Sequence, residues 1–391
     1  MVAHRTPVSS QIRFVFPELT GVSKLADVIG RPVDELDTPA LLLDLDICER
    51  NLKQMAAFFA DRPAQLRPHF KNHKCTALAR RQLDAGSAIG MTCAHIGEAE
   101  ALAAAGIEDI LIANQVVGAG KIQRLAELAR HSRICVAVDD ASQGEAISRA
   151  AQESGVHIHL LLEVDVGMGR CGLPPGQPSL ELARRLIELP GVELRGLQAY
   201  EGHAVYIDDA ERRGQQACEA LRLAIETRDL LHASGIPADV ISGSSSATYR
   251  FSGTMDGVTE VQAGTYATMD CRYQRLLPEF GVALSVLATV ISTRSSEAVL
   301  DIGVKSAGGE FGVPRIKDAP HVEIPFFLAE EHCVVRNTPG WKIGELVEVY
   351  PSHACTTCNL HAQMFVHQQG RVVAVWPIDG RSTSKVSDRD I

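Results

Sequence analysis

No cluster of lysine and arginine stands anywhere in this sequence, and 38 basic residues are outnumbered by 48 acidic ones for a net charge of −10. Nucleic-acid binding rests on basic patches that neutralise phosphates, so that class of function is set aside. The same acidic balance disfavours an anionic membrane surface. No run approaches the roughly 18 apolar residues that a spanning helix needs. The first stretch, MVAHRTPVSSQIRFVFPELT, lacks the apolar segment of a signal peptide, which implies a cytoplasmic protein. A disulfide framework is missing too: ten cysteines lie scattered through a long chain, the pattern of reduced thiols in a cytosolic enzyme. There is no internal repeat and no low-complexity tract. What remains is a chain of 391 residues, 46% apolar and 5% aromatic, large enough for one big domain plus a second, or for an extended barrel with an appendage.

From residue 38 onward, short β-rich runs alternate with longer stretches of helical periodicity. The expected strands are 40–46 (ALLLDLD), 66–70, 88–92, 109–114, 133–139, 157–165, 194–200 and 238–244. Between them lie helical patterns such as CERNLKQMAAFFAD and HIGEAEALAAAG. Eight strand-then-helix units with nearly continuous apolar strands suit a parallel (β/α)8 TIM barrel over residues 38–275. A doubly wound open sheet is the alternative, because strand order is invisible in a sequence. After residue 276 the runs ALSVLATVIS, EAVLDIG, GELVEVY, AQMFVHQ and RVVAVWPI follow one another with turns and little helix. They imply a C-terminal antiparallel β domain over 276–391. Residues 1–37 are too few to fold alone and are expected to pack on that domain, and the polar tail RSTSKVSDRDI is expected to be disordered.

In such a barrel the chemistry sits at the C-terminal ends of the strands. Lys71, in LRPHFKNHK, occupies one such end, with His69, His73 and Lys74 nearby to depress its proton affinity. A lysine there can form a Schiff base with a carbonyl group; a solvated basic loop is the plainer reading. Arg170, in EVDVGMGRCG, stands on a glycine-flanked loop where it meets either a planar cofactor or a surface carboxylate. Gln198, Tyr200 and His203 cluster after a further strand. Ser242, Gly243, Ser244, Ser245 and Ser246 form a turn whose amides and hydroxyls could hold a phosphate, with Gly264, Thr265 and Tyr266 of QAGTYATMD following closely. Two ordinary turns would read the same. In PSHACTTCNLH, His353 and Cys355 share a face at strand-like spacing, and imidazole with thiolate suits zinc. Cys358 and His361 could close a four-ligand structural site, or the thiols could be buried without metal.

These pieces, in this order, resemble the D-threonine aldolase and D-serine dehydratase family, whose fold is like that of alanine racemase. The resemblance runs from DTPALLLDLD at residue 38 to WPI near 376 and is carried by RPHFKNHK, IANQVVG, EVDVGMGRCG, GLQAY, QAGTYATMD and PSHACTTCNLH. It implies a lyase dependent on pyridoxal phosphate and a divalent metal, acting on D-β-hydroxy-α-amino acids, as a homodimer. It makes Lys71 the lysine that holds the coenzyme. It puts Ser242 to Ser246 with Gly264, Thr265 and Tyr266 around the phosphate, and His69, Arg170, Gln198 and Tyr200 near the coenzyme ring. His353 and Cys355 become the metal pair beside the substrate hydroxyl, with zinc favoured over manganese, cobalt or magnesium.

Two positions depart from the aldolase pattern. Aldolases of this family carry His-x-Asp at the metal pair and dehydratases His-x-Cys, and this chain has Cys355. Tyr206 stands where aldolases have a histidine, although His203 is close by. Retro-aldol cleavage to glycine and an aldehyde is the first expectation, with His203 as the base. The alternative is a D-serine or 3-hydroxy-D-aspartate dehydratase giving a 2-oxo acid and ammonia, which Tyr206, a poor base, would favour. Racemisation, or a carrier of pyridoxal phosphate without catalysis, are more distant alternatives.

Overall fold

The computed structural model describes residues 25–381 apart from Leu328 and Pro339. The signal-peptide question and most of the polar tail therefore lie outside the described residues. Strand β1 (Ala40–Asp44) leads into helix α1 (Leu45–Phe59). Strands β2 (Gln65–Leu66), β3 (Met91–Cys93), β4 (Asp109–Gln115), β5 (Arg133–Val138), β6 (Ile158–Glu163), β7 (Val192–Ala199), β8 (Val240–Gly243) and β9 (Glu260–Val261) form one parallel sheet in the order β2-β9-β8-β7-β6-β5-β4-β3. Parallel bridges Leu66–Ala88 and His69–Thr92 join the outer strands, so the sheet closes into an eight-stranded barrel. The crossovers carry α2 (Thr76–Asp84), α3 (Ile96–Ala104), α4 (Ala119–Leu128), α5 (Ala141–Ser154), α6 (Gln177–Leu186), α7 (Ala210–Ala233) and the short α8 (Tyr249–Ser252). Covered on both faces, the strands are largely apolar: in β6, Ile158, Leu160, Leu161 and Leu162 are all buried.

The barrel expected from the sequence is present, but its strands are counted differently. The run at 40–46 was expected to open the barrel. Instead β1 pairs antiparallel with β10 (Leu284–Arg294) and parallel with β15 (Gln363–Gln368) in the second sheet. An apolar run bounded by turns looks the same whichever buried sheet it enters. The eighth barrel strand is β9, within the EVQAGTYATMD run that was read only as a phosphate turn. Lys71 thus follows the first barrel strand, and the serine-rich and QAGT turns follow the seventh and eighth, the usual position of a phosphate site in this architecture.

The second sheet also contains β11 (Glu297–Leu300), β12 (Arg315–Ile316), β13 (Cys333–Arg336), β14 (Leu346–Tyr350) and β16 (Arg371–Pro377). Its main path is β12-β14-β10-β1-β15-β16. It is mixed, not purely antiparallel, because β1 arrives from before the barrel. Two short helices, α9 (Cys271–Leu276) and α10 (Ala354–Leu360), lie between barrel and sheet. Ahead of β1, Gly30 and Val33 donate backbone hydrogen bonds to Val372 and Gly370, which ties this leader to β16 and its turn.

At the other end of the barrel, Arg67 donates two hydrogen bonds of 2.9 Å to the Glu260 carboxylate and one of 2.6 Å to Asp109. Arg67 and Glu260 are both buried. The pair joins the first barrel strand to the eighth, where no crossover helix does so. Arg67→Ala would strand two carboxylates and is expected to cost about 3–5 kcal/mol, lowering the thermal midpoint by roughly 5 °C in a scan of the purified chain.

Candidate active site

The C-terminal ends of the barrel strands enclose a cavity of about 310 Å³ that borders the second sheet. Lys71 reaches it from a 3-10 turn, Phe70–Asn72, which His69 begins by accepting the Lys71 backbone N–H at 3.4 Å. Of the two candidate lysines, Lys74 is committed elsewhere: its Nζ lies 2.5 Å from the buried Glu98 carboxylate. Burial pulls the Lys71 ammonium below its ordinary range; the Cys355 thiolate opposes this and Arg170 adds to it. The Lys71 Nζ and the Arg170 guanidinium lie 5.3 and 5.4 Å from the centre of the Tyr200 ring. Burial keeps His69 well below its usual value, with Lys71 adding to the effect, so it is a neutral imidazole.

Along the floor, Gln262 Nε2 donates to Ser242 Oγ at 2.9 Å and approaches Gln198 Oε1 at 3.4 Å. Gln115 donates to Glu163 at 2.5 Å, and Arg170 lies 3.7 Å from the other Glu163 oxygen. Burial raises the Glu163 carboxyl above its ordinary range. The serine turn lines one wall with Ser244, Ser245 and Ser246. Glu201, buried behind it, accepts from the Ser244 N–H at 3.0 Å and from Thr248 Oγ1 at 2.6 Å. Ser244 has a left-handed φ of 70°, and its hydroxyl is buried without any hydrogen-bond partner. Opposite, a Cβ on Gly264 would come within 2.6 Å of the His69 carbonyl oxygen, so only glycine lets these two turns close on each other.

His353 and Cys355 come from the second sheet. They adjoin not as strand neighbours, as their spacing suggested, but because His353 caps α10 and Cys355 lies in its first turn. Burial disfavours a thiolate at Cys355, yet the hydrogen-bonded His353 and the nearby Lys71 outweigh it, and its proton affinity falls below the ordinary thiol range. His353 in turn is held at about 9, the Cys355 contact overcoming burial. Its Nδ1 bonds the Glu310 carboxylate, and the Phe311 ring stacks on the imidazole at 4.2 Å. Cys358 is fully buried, and His361 bonds the Ser306 carbonyl at 2.7 Å, so the motif does not gather four ligands. Two protein ligands with open positions would suit a catalytic metal and not a closed structural one. Glu310→Ala is expected to weaken divalent-metal binding about 10–100-fold, measured by competition with a chromogenic chelator, because the carboxylate fixes the ring and its tautomer.

The cavity gathers most of the residues singled out in the sequence: His69, Lys71, Arg170, Gln198, Tyr200, Ser244 to Ser246, Gly264, Thr265 and Cys355 line it. Others stand behind. Ser242 and Gly243 belong to β8 beneath the turn, and the Tyr266 side chain is buried against Phe280, its hydroxyl accepting from Gln82. His203 and Tyr206 sit outside the lining, on a 3-10 turn over Gly202–Tyr206. The His203 Nδ1 is buried without a partner. Tyr206 is 66% exposed, and its ring meets the edge of Phe311, which covers His353. Among the residues that escaped the sequence reading, beside Glu310, are two that join the barrel to the second sheet. Asn72 donates to Cys355 Sγ at 3.6 Å and accepts from Thr268 at 2.8 Å, linking the lysine turn to the thiol. Asp270 caps α9 through the Tyr273 N–H and also accepts from the Ala354 N–H at 2.9 Å, anchoring the start of α10; its burial raises it to about 6. Asn72 stood inside RPHFKNHK and Asp270 ended QAGTYATMD, so both were visible as motif members but not as links between domains.

Family models match two parts of the chain: "Alanine racemase, N-terminal domain" over residues 43–271 and "Putative serine dehydratase domain" over 283–367. The chain is 40% identical to D-threonine aldolase from an Arthrobacter species, over 91% of this chain and 96% of that one. It superposes on the crystal structure of D-threonine aldolase from Filomicrobium marinum with a TM-score of 0.87 at 35% identity, covering 90% and 98% of the two chains. A cysteine variant of D-threo-3-hydroxyaspartate dehydratase, solved in a metal-free form, superposes with a TM-score of 0.80 at 26% identity, covering 88% and 98%.

Proposed function

Since the chain belongs to the alanine-racemase-like family that contains the D-threonine aldolases and their dehydratase relatives, we propose that it is a pyridoxal-phosphate- and divalent-metal-dependent lyase that cleaves D-β-hydroxy-α-amino acids into glycine and an aldehyde. The observation that carries this reading is the convergence of the Lys71 amine, a serine turn with an unpartnered hydroxyl, and the Cys355 thiol on one cavity, with His353 bonded to that thiol from outside the lining.

The residues fit both groups. The unbonded Ser244 hydroxyl, in a serine turn facing Gly264 and Thr265 across the cavity, suits a phosphate, and Lys71, with its lowered proton affinity, suits a carbonyl partner. Imidazole and thiolate suit zinc before manganese or magnesium. When bound, the coenzyme supplies an electron sink at Cα and the cation a Lewis acid at the β-oxygen. The chain supplies the rest. Lys71 offers an amine whose proton affinity burial lowers. Gln198 is held by Gln262 from beneath, and Arg170, close to Glu163, lies against the Tyr200 ring. Asn72 and Glu310 hold the metal ligands from opposite sides. His203, whose Nδ1 has no partner, is the base we assign to the substrate hydroxyl; as it stands behind the lining, the mouth must adjust when substrate enters. Thiols at all ten cysteines suit the cytoplasm, and no described helix is long and apolar enough to cross a membrane. We take the working unit to be a homodimer.

Two observations favour a second reading. Cys355, in place of aspartate, and an exposed Tyr206 lean towards an ammonia-lyase giving a 2-oxo acid. The product spectrum separates the two. Incubated with D-threonine and D-phenylserine, with and without chelator, the purified chain is expected to release glycine and aldehyde in a chelator-sensitive manner. Ammonia with 2-oxo acid would reverse the order of the two readings.

A further inference from the structure

At the opposite end of the barrel from the cavity, an opening of about 530 Å³ is lined by charged side chains that include Arg67, Asp109, Arg133, His159, Arg195 and Glu260. His159 lines it, and beside His159 stand His157 and Glu193; the lyase reading uses none of the three. His157 immediately precedes β6, His159 is the second residue of β6, and Glu193 is its register partner on β7. Their ligand atoms all lie within 4.8 Å of one another: His157 Nε2 is 3.5 Å and His159 Nδ1 3.3 Å from the same oxygen, Glu193 Oε2. Among the described residues it is the one such group of three His, Cys, Asp or Glu side chains.

Both contacts lie at ion-pair distance. His159 Nδ1 is buried and makes no hydrogen bond, although a carboxylate oxygen stands in front of it. The spacing does match another geometry. Ligand atoms bound at about 2.0–2.1 Å in a tetrahedron stand about 3.3–3.4 Å apart, and the separations of 3.3 and 3.5 Å to Glu193 lie close to that edge. Arg195 Nη1 lies 3.5 Å from the other oxygen, Oε1, which leaves Oε2 to the histidines. The two imidazole rings meet nearly edge to face, at 75° and 5.5 Å, so their nitrogens converge without stacking.

We propose that His157, His159 and Glu193 form a second metal site, at the base of the barrel, which takes one divalent first-row transition ion with two imidazoles, one carboxylate and a water. The ion ties the first residues of β6 to those of β7, the two strands whose far ends carry Glu163, beside Arg170, and Gln198, in the cavity lining. The site has no thiolate, so its donor set is of a different class from that at Cys355.

The test is a cobalt(II) titration of the chelator-stripped full-length chain, read by bound metal per chain and by absorption. Two equivalents are expected, one of them with the thiolate-to-cobalt charge-transfer band of Cys355. In Cys355→Ser one equivalent should remain, without that band. In His159→Ala, and in His157→Gln at a half-exposed position that tolerates change, one should remain with the band intact. The proposal is overturned if both histidine variants keep every equivalent of the parent chain. A parent chain that binds a single equivalent, lost in the histidine variants, sustains the second site and instead defeats the metal in the lyase reading.

Discussion

Lys71→Ala is expected to abolish turnover of D-threonine, with kcat/KM falling by at least ~10³-fold, and to leave a protein that stays colourless when pyridoxal phosphate is added. The size follows from how much depends on one amine. Covalent catalysis needs a nucleophile in its unprotonated form, and Lys71 is the cavity lysine whose proton affinity burial depresses. Lys74 cannot replace it, since its ammonium is committed to the buried Glu98. A Lys71→Arg variant separates charge from chemistry, for guanidinium keeps the positive charge and lacks a deprotonatable amine. It should bind the phosphate moiety but fail to give the visible band that borohydride erases in the parent. If either variant retains that band, another lysine holds the coenzyme and the assignment of Lys71 fails.

Much of this site was legible because barrel chemistry sits where strands end, and strand ends follow apolar runs that a sequence displays. Lys71, Arg170, Gln198 and the serine turn were all found by that rule, and the cavity brings them together. The rule failed where one apolar run looks like another. ALLLDLD carries no mark of which sheet it joins, and β9 is two residues long, too short to register as a strand beside the polar turn that follows it. The count slipped by one at each end without disturbing any residue in between, because the order of the strand-end motifs along the chain does not depend on which strand is called first.

The contacts that cross from barrel to second sheet were invisible for a different reason. Asn72 to Cys355 and Asp270 to Ala354 join residues far apart in sequence, and no local periodicity encodes such pairings. The same limit misled the reading of His353 and Cys355. An i, i+2 spacing implies a shared face only in a strand, whereas here a helix cap and the first turn behind it do the same work. The extra pair Cys358 and His361 fits the spacing of a zinc motif, yet a buried thiol and an imidazole bound to a carbonyl have other occupations.

Cys355→Ser is expected to lower kcat/KM for D-threonine by about 10²–10⁴-fold while the visible coenzyme band persists, the inverse of the Lys71 pattern. Serine keeps the size and removes the soft, ionisable donor. A hydroxyl does not deprotonate under the influence of His353 and Lys71 as the thiol is poised to do, so the metal loses an anionic ligand and keeps one imidazole. Asn72 would then donate to an oxygen, and its turn, with Lys71 beside it, should move little, which is why the coenzyme band survives. Cys355→Asp tests the same position with the charge restored. Because aspartate is the residue expected there in aldolases, this variant should recover metal binding and much of the aldehyde release that the serine variant loses. If cleavage instead proceeds undiminished in Cys355→Ser, with and without chelator, then the His353/Cys355 pair holds no catalytic metal and the cavity cleaves its substrate by its own acid–base groups alone.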